Sequence, residues 1–508
     1  MSLAKLYSAS VVGLDAEPIE VEADISSGKV VFNIVGLPDR VVEESKERVR
    51  SAIKNSGANF PNRRITVNLA PADIRKEGPI FDLAIALGIL VASDQIDFDF
   101  KKTLVFGELA LDGILRSISG VLPMASMAKS QGFEKIFLPT ENIKEASIIS
   151  GLELYPANNL TELINHFLGG KTIASIASGE GLKEVESEEY QYDFAYVKGQ
   201  DQAKRALEIV AAGGHNILMN GPPGSGKTLL ARCLPSILPK MTLSEMLEIT
   251  KIHSVAGVLP KDKPLITIRP FRSPHHTSSA VALIGGGTFP KPGEISLSHR
   301  GILFLDELPE FPRFVLEVLR QPLEDGIVNV SRAAGAVTFP AKFILVAAQN
   351  PCPCGYLTDP VKQCTCSAST IARYKQKISG PLLDRIDLHI EVPRVEQSKL
   401  MQKEVAEGSA IIRERVGKAR DIQKERFKKL KKRIFCNAEM GNEEIAAFCV
   451  AEESALALLK NAMNQLYLSA RAYHRILKLS RTIADLDGAD IIAQKHIAEA
   501  LQYRVRDK

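Results

Sequence analysis

No stretch of this 508-residue chain is apolar for long enough to cross a bilayer. The most apolar segment, FDLAIALGILVAS at 81–93, falls well short of the ~20 residues that a spanning helix needs, so it reads as a buried helix. A secretory leader is also lacking: MSLAKLYSASVVGLDAEP has no long apolar core, and Asp15 and Glu17 interrupt it early. A cytoplasmic protein is expected. Charge of one sign is scarce as well, since 64 Lys and Arg face 60 Asp and Glu for a net +4. That balance neither selects nor excludes a nucleic-acid partner. Cysteine is sparse at seven residues, an odd number that fits reduced thiols, and clustered reduced thiols more often bind metal than pair. There is no internal repeat. The remaining composition, 45% hydrophobic and 24% charged, is that of a soluble globular protein too long for a single core.

The patterning divides the chain into four parts. Residues 1–168 mix strand-like alternation (KVVFNIVGLP, RRITVNLAP) with a helical period (ESKERVRSAIKNSG), which predicts an α/β or α+β domain. Residues 169–195 are rich in Gly, Ser and Glu without apolar periodicity and read as a linker. Residues 196–395 alternate helical patterns with short buried-strand patterns (NILMNG, RGILFLDE, AKFILVAAQN), which predicts a parallel sheet covered on both faces and an α/β fold class. Residues 396–508 are almost wholly helical, and Gly488 is the expected stop of the helix in ARAYHRILKLSRTIADLDG.

The chemistry begins at NILMNGPPGSGKTLLARCL, where Gly221, Pro222, Pro223, Gly224, Ser225, Gly226, Lys227 and Thr228 follow an apolar strand and precede a helix. A loop of this kind makes a concave site of backbone N–H groups for the phosphates of ATP, with Lys227 on the β and γ phosphates and Thr228 on Mg²⁺. GILFLDELPEF supplies Asp306 for the metal's water shell and Glu307 to polarise an attacking water. The strand FILVAAQN ends in Asn350, which is placed to position the γ phosphate or that water.

These motifs, with SGPLLDRIDLHIEVP and SARAYHRILKLSRTIADL, resemble the AAA+ ATPases, in the clade of magnesium-chelatase ATPase subunits and minichromosome-maintenance helicases. FRSPHHTSSAVALIGGG, PGEISLSHRGILFLDELPEF and NPCPCGY are more closely similar to the bacterial ComM (YifB) family. The resemblance implies an ATP-driven motor for branch migration during natural transformation, acting on single-stranded and branched DNA alongside recombination proteins. It implies that Arg385 is an arginine finger inserted into a neighbour's site, that Arg471 is the sensor-2 arginine of a helical lid, and that the assembly is a homo-hexamer. Without that context, either arginine is an ordinary surface ion-pair residue. A polypeptide-threading remodeller and a motor for metal insertion into a porphyrin stand as alternatives.

LEDGIVNVSRAAGAVTFPAKF predicts a hairpin with a turn at Ala333–Gly335 and Arg332 at its tip, placed to grip DNA phosphate. RPFRSPHHTSS offers Arg269, Arg272, His275 and His276 as a loop that forms a second pore or interface element. Residues 413–433 hold eleven basic and three acidic side chains, either a nucleic-acid-binding ridge or a solvated helix face. Cys352, Cys354, Cys364 and Cys366, within an insert at 352–366, have the composition of a closed structural Zn²⁺ site, although Cys-x-Cys is tighter than the usual gap. Such a metal is expected to stiffen the connection from Asn350 to Arg385. Finally, RKEGPIFDLAIALGIL and GELALDGILRSISGVLPMASMAKSQG resemble the proteolytic domain of Lon. Ile80 and Leu122 stand where that family has its serine and lysine, which removes both nucleophile and base. Ser117, Ser119 and Lys129 are the nearby polar groups.

Overall fold

The structure is a computed structural model and describes residues 2–179, 190–260, 263–287, 290–332, 335–396, 406–465 and 468–504. The chain separates into two compact units, Met1–Ser187 with Met246–Ile266, and Glu188–Glu245 with Thr267–Lys508. Among the described residues no helix is long and apolar enough to cross a membrane.

The first unit is built on an eight-stranded mixed sheet. Its order is Ile176–Ala177, Glu153–Ala157, Lys135–Pro139, Thr103–Val105, Ser2–Val12, Asp15–Ser26, Arg64–Ala70 and Val31–Val35. Along most of Asp15–Ser26 every second residue is buried, the period of a strand with one covered face. The helix Asp82–Ala92, all of it buried except Val91, packs on the two longest strands. This is the apolar run that was too short for a membrane. Gly88 lets it approach closely, since a methyl there would stand 3.3 Å from Ala23 Cβ.

The two positions of the Lon-like pair go to separate apolar clusters. Ile80 belongs to the main core, while Leu122 joins Ile148 and Leu265 with Met246 and Leu247. Lys129 donates to Ser150 Oγ at 3.2 Å. The segment Met246–Ile266, expected within the 196–395 module, clusters instead with this first unit. The Ser254 hydroxyl donates to Glu145 Oε1 at 2.5 Å, and Leu122 N–H donates to the same oxygen at 2.8 Å. Burial pushes the Glu145 carboxyl up against those two donors.

The second unit holds a five-stranded sheet in the order Phe271–Arg272, Ile302–Leu305, Ile344–Gln349, Ile217–Asn220, Leu388–Glu391, with every pair parallel. The three runs read as strands in the sequence are continuous hydrophobic stretches because helices cover both faces, and Leu388–Glu391 adds a strand that was not read there. Phe271–Arg272, expected in a loop, is the outermost strand. The helices Ser409–Phe427, Glu453–Gln465, Ala470–Leu486 and Gln494–Gln502 follow. Their apolar faces share one core with the sheet, so the expected 396–508 domain is not a separate compact unit. Gly488, at φ 66°, lies just past Asp487, the cap of the helix it was expected to end. Residues 180–189 of the expected linker, and residues 397–405, lie outside the described residues.

Candidate functional site

The strand Ile217–Asn220 delivers the chain into the glycine loop, and the helix Lys227–Ile237 carries it away. Three glycines are required there for different reasons. A methyl on Gly221 would stand 2.1 Å from the Val392 carbonyl oxygen, so the backbone fits only without a side chain. Gly224 and Gly226 have φ of 75° and 91°, and a methyl on either would meet nothing within 4 Å, which leaves the mouth of the loop open. Lys227 Nζ donates to the carbonyls of Gly221 at 2.6 Å and Pro222 at 3.0 Å, and lies 3.3 Å from Asn350 Oδ1. Burial depresses the Lys227 pKa, with Asp306 opposing the shift. A half-desolvated ammonium held by carbonyls exchanges them readily for phosphate oxygens, which carry full charge. The loop therefore fits a nucleotide triphosphate.

The acidic strand Ile302–Leu305 ends beside the loop. Thr228 Oγ1 donates to Asp306 Oδ2 at 2.8 Å, joining the hydroxyl and carboxylate expected to share Mg²⁺. Hard oxygen donors of this kind suit that ion. Glu307 adopts φ 53°, a conformation costly for a residue with a side chain, and its N–H donates to Asp306 Oδ1 at 3.0 Å. Its carboxylate lies 3.4 Å from His276 Nδ1. Backbone strain next to a phosphate site suits a reactive residue held in place by its surroundings. Asn350 sits at the end of the strand between these two, so Lys227, Thr228, Asp306, Glu307 and Asn350 come together at the carboxyl ends of the parallel strands.

Arg385 and Arg471 lie at the opposite ends of the same strands. The Arg385 carbonyl accepts from Asn216 Nδ2 at 3.1 Å, and Asn216 immediately precedes the strand whose far end opens into the glycine loop. Five residues of strand separate Asn216 from Gly221, roughly 16 Å of backbone. Arg385, almost fully buried, donates to Glu324 and to the Pro381 carbonyl at 2.8 Å. Its Nε is buried without a partner. Arg471 lies 3.5 Å from the other oxygen of Glu324 and is largely exposed. Arg385 holds the Glu324 carboxyl below its usual range, helped by Arg471 and Arg475. Glu324 was not singled out in the sequence, where nothing distinguishes it from other surface acids. It gathers two arginines expected at different elements, one of them anchored at the end of the strand opposite this chain's own loop.

The four clustered cysteines converge. Cys352 Sγ lies 3.4 Å from Cys354 Sγ and 3.7 Å from Cys364 Sγ, and Cys354 to Cys364 is 3.6 Å. With Cys366 included, all four sulfurs lie within 4.8 Å of one another. A tetrahedral ion with Zn–S bonds of about 2.3 Å spaces its sulfurs by about 3.8 Å, so the thiols fit Zn²⁺. The N–H groups of Tyr356 and Thr365 lower the Cys354 thiol to about 6, whereas, against a backbone N–H, burial and the neighbouring thiols push Cys364 up to about 12 and raise Cys366, so one thiol of the four is favoured as a thiolate. Between this knuckle and Arg385 the chain forms the helices Ala368–Lys375 and Gly380–Leu383. The connection is thus not the structureless loop that a metal was expected to stiffen.

Three family descriptions of magnesium chelatase subunit ChlI match the chain. "Subunit ChlI of Mg-chelatase" covers residues 21–142, "Magnesium chelatase, subunit ChlI" covers 193–400, and the ChlI C-terminal description covers 406–504. The competence protein ComM of Haemophilus influenzae is 47% identical over 511 residues, spanning 99% of this chain and 98% of that protein. The chain belongs to the ComM/YifB family. The YifB protein of Escherichia coli K12 is 42% identical across 100% of the chain and 98% of its own length. Lon protease 2 of Bacillus subtilis is 29% identical over 165 residues, 30% of each chain. The ComM/YifB chain thus joins a Lon-like region, a magnesium-chelatase-like AAA+ region and a helical C-terminal region.

The expected DNA contacts of this ComM/YifB chain fare differently. The hairpin Ile327–Arg332 with Gly335–Pro340 forms, in a register that pairs Arg332 with Gly335. Ala333 and Ala334 lie outside the described residues. Arg269 and Arg272 are committed inside the fold and not to a pore. Arg269 binds the Pro239 and Arg300 carbonyls and Glu245, and Arg272 makes a two-point pair with Glu294 at 2.6 and 2.7 Å. His275 stacks on His276 at 4.1 Å. In the basic run, Arg415 pairs with Glu208 and Glu407, Arg420 caps the Ala211 and Phe435 carbonyls, and Arg426 pairs with Asp485. Apart from Lys418, what faces solvent is a group at the end of the run, Lys424, Lys428, Lys429, Lys431, Lys432 and Arg433. A continuous ridge is therefore reduced to one end of the run.

Proposed function

We propose that this chain is an ATP-hydrolysing, ring-forming DNA translocase that drives branch migration as transforming DNA is integrated by homologous recombination. The observation that carries the reading is the placement of Arg385 and Arg471 on Glu324, roughly 16 Å of strand away from the chain's own glycine loop. An arginine that stabilises charge on a transferring phosphoryl group must stand at that group. These two can do so only at the loop of a neighbouring copy, which supports a closed head-to-tail assembly, a homo-hexamer in our reading. Lys227 and the loop N–H groups hold ATP, Thr228 and Asp306 hold Mg²⁺, Glu307 polarises water and Asn350 positions the γ phosphate. Zn²⁺ occupies the four thiols as a structural ion.

DNA as the moved polymer is supported by the name of the Haemophilus relative, a competence protein, and by a hairpin bearing Arg332. Single-stranded and branched DNA are the substrates, recombination proteins the further partners, and the cytoplasm the location. The test is ATPase activity with and without single-stranded and branched DNA, together with strand displacement by the parent and Lys227→Ala proteins. Stimulation by DNA and displacement lost in Lys227→Ala support the reading. ATPase activity indifferent to every DNA but stimulated by unfolded polypeptide, or by a porphyrin acceptor, refutes it.

A further inference from the structure

The cysteine knuckle stands against the glycine loop of its own chain. Gly355, the residue after Cys354, is left-handed at φ 84°, and its N–H donates to the Cys352 carbonyl at 2.9 Å, closing the turn of the first thiol pair. A methyl at Gly355 would stand 2.6 Å from Cδ and 2.7 Å from Cγ of Pro223, and 3.9 Å from Cγ of Asn350. The knuckle backbone is thus pressed directly on a proline in the middle of the phosphate loop. Asn350 is two residues before Cys352, and its Oδ1 lies 3.3 Å from Lys227 Nζ. Tyr374, eight residues past the last thiol along the chain, hydrogen-bonds the Asn350 backbone. The same short run therefore touches the loop at its middle and at its lysine.

We infer that the Cys₄ metal site clamps the phosphate loop, so that metal occupancy and nucleotide binding strengthen each other within one chain. This rests on the zinc reading above and adds a consequence to it. With four thiolates drawn onto one ion, the turn at Gly355 is fixed and Pro223 has a rigid wall behind it. Without the ion, four crowded thiols repel or rotate, the turn relaxes, and Pro223 and Asn350 lose the surface that holds them. Preorganised loops bind more tightly because less ordering remains to be done on binding. The site is structural in its ligands, but the structure it stabilises is the nucleotide pocket.

Linkage makes the effect measurable from both sides, since a factor by which metal raises nucleotide affinity is the factor by which nucleotide raises metal affinity. The experiment uses the intact full-length chain. Zinc per chain is measured on purification. Zn²⁺ affinity is then titrated against a zinc-selective chelator with and without a non-hydrolysable ATP analogue and Mg²⁺, and the analogue's affinity is measured in zinc-loaded and zinc-stripped protein. About tenfold strengthening in each direction is expected, within the common range for coupled sites. Pro223→Ala keeps all four thiols, so its zinc content should be unchanged while the mutual strengthening falls below about twofold. Zinc present at one ion per chain with an affinity that ignores nucleotide overturns the clamp and leaves the metal reading standing. Full coupling in Pro223→Ala overturns the clamp by this route. Absence of zinc from the parent protein overturns both.

Discussion

Replacement of Arg385 by alanine separates a role at a neighbour's site from a role in this chain's own fold. The structural cost is small. Arg385 pairs with a Glu324 side chain that is 50% exposed, so the carboxylate left behind rehydrates, and the loss of the pair and of the packed stem amounts to about 1–2 kcal/mol. The kinetic cost is large if the guanidinium stands at a transferring phosphoryl group: about 10³–10⁵ in turnover, equivalent to about 4–7 kcal/mol of barrier. Arg385→Ala should thus melt within a few degrees of the parent and bind ATP, yet hydrolyse almost none. Mixing decides where the arginine acts. Lys227→Ala lacks a working loop but keeps its arginine, and Arg385→Ala has the reverse. Equal amounts form head-to-tail seams of which roughly a quarter carry both intact halves, so two inactive proteins should regain activity when combined. Full ATPase activity in Arg385→Ala, or no recovery on mixing two folded proteins, refutes the assignment.

Three other perturbations test neighbouring steps. Glu307→Gln should bind ATP with unchanged affinity and lose about 10²–10⁴ in turnover, checked by single-turnover hydrolysis beside a binding titration. Gly221→Ala places a methyl 2.1 Å from the Val392 carbonyl, so the backbone must move. A destabilisation of about 1–3 kcal/mol and loss of nucleotide binding are expected in thermal melts with and without ATP. His389 is held down to about 4 by burial and by the Arg504 charge, so the folded chain refuses a proton that the unfolded chain accepts below about 6.5. The stability from this group is complete above pH 6.5 and falls by about 3 kcal/mol on descending to pH 4, and His389→Gln should flatten that limb.

The convergence of the candidate nucleotide-site residues was legible because such chemistry imposes spacing: the glycine loop, acidic strand end and strand-ending Asn350 each occupy a short continuous string. The buried helix at 82–92 and the parallel sheet were legible from hydrophobic patterning for the same reason. What the sequence concealed is convergence across distance. Arg269, Arg272, Arg415 and Arg426 looked like free positive charge, because their carboxylates lie from 8 to 207 residues away along the chain and only folding brings them together. Glu324 was invisible for the same reason. The destination of Met246–Ile266 was hidden too, since its helical pattern marks an apolar face without saying which surface receives it.

That segment bears on any attempt to divide the molecule. Because Met246–Ile266 clusters with residues from the amino-terminal region, the boundary between the units cannot be cut at a single peptide bond. A protein begun near residue 190 would keep Met246, Leu247 and Leu265 but discard the Leu122 and Ile148 that shield them, and the exposed apolar surface would favour aggregation. Faithful dissection calls for removing both stretches together, bridging the gap with a short polar tether.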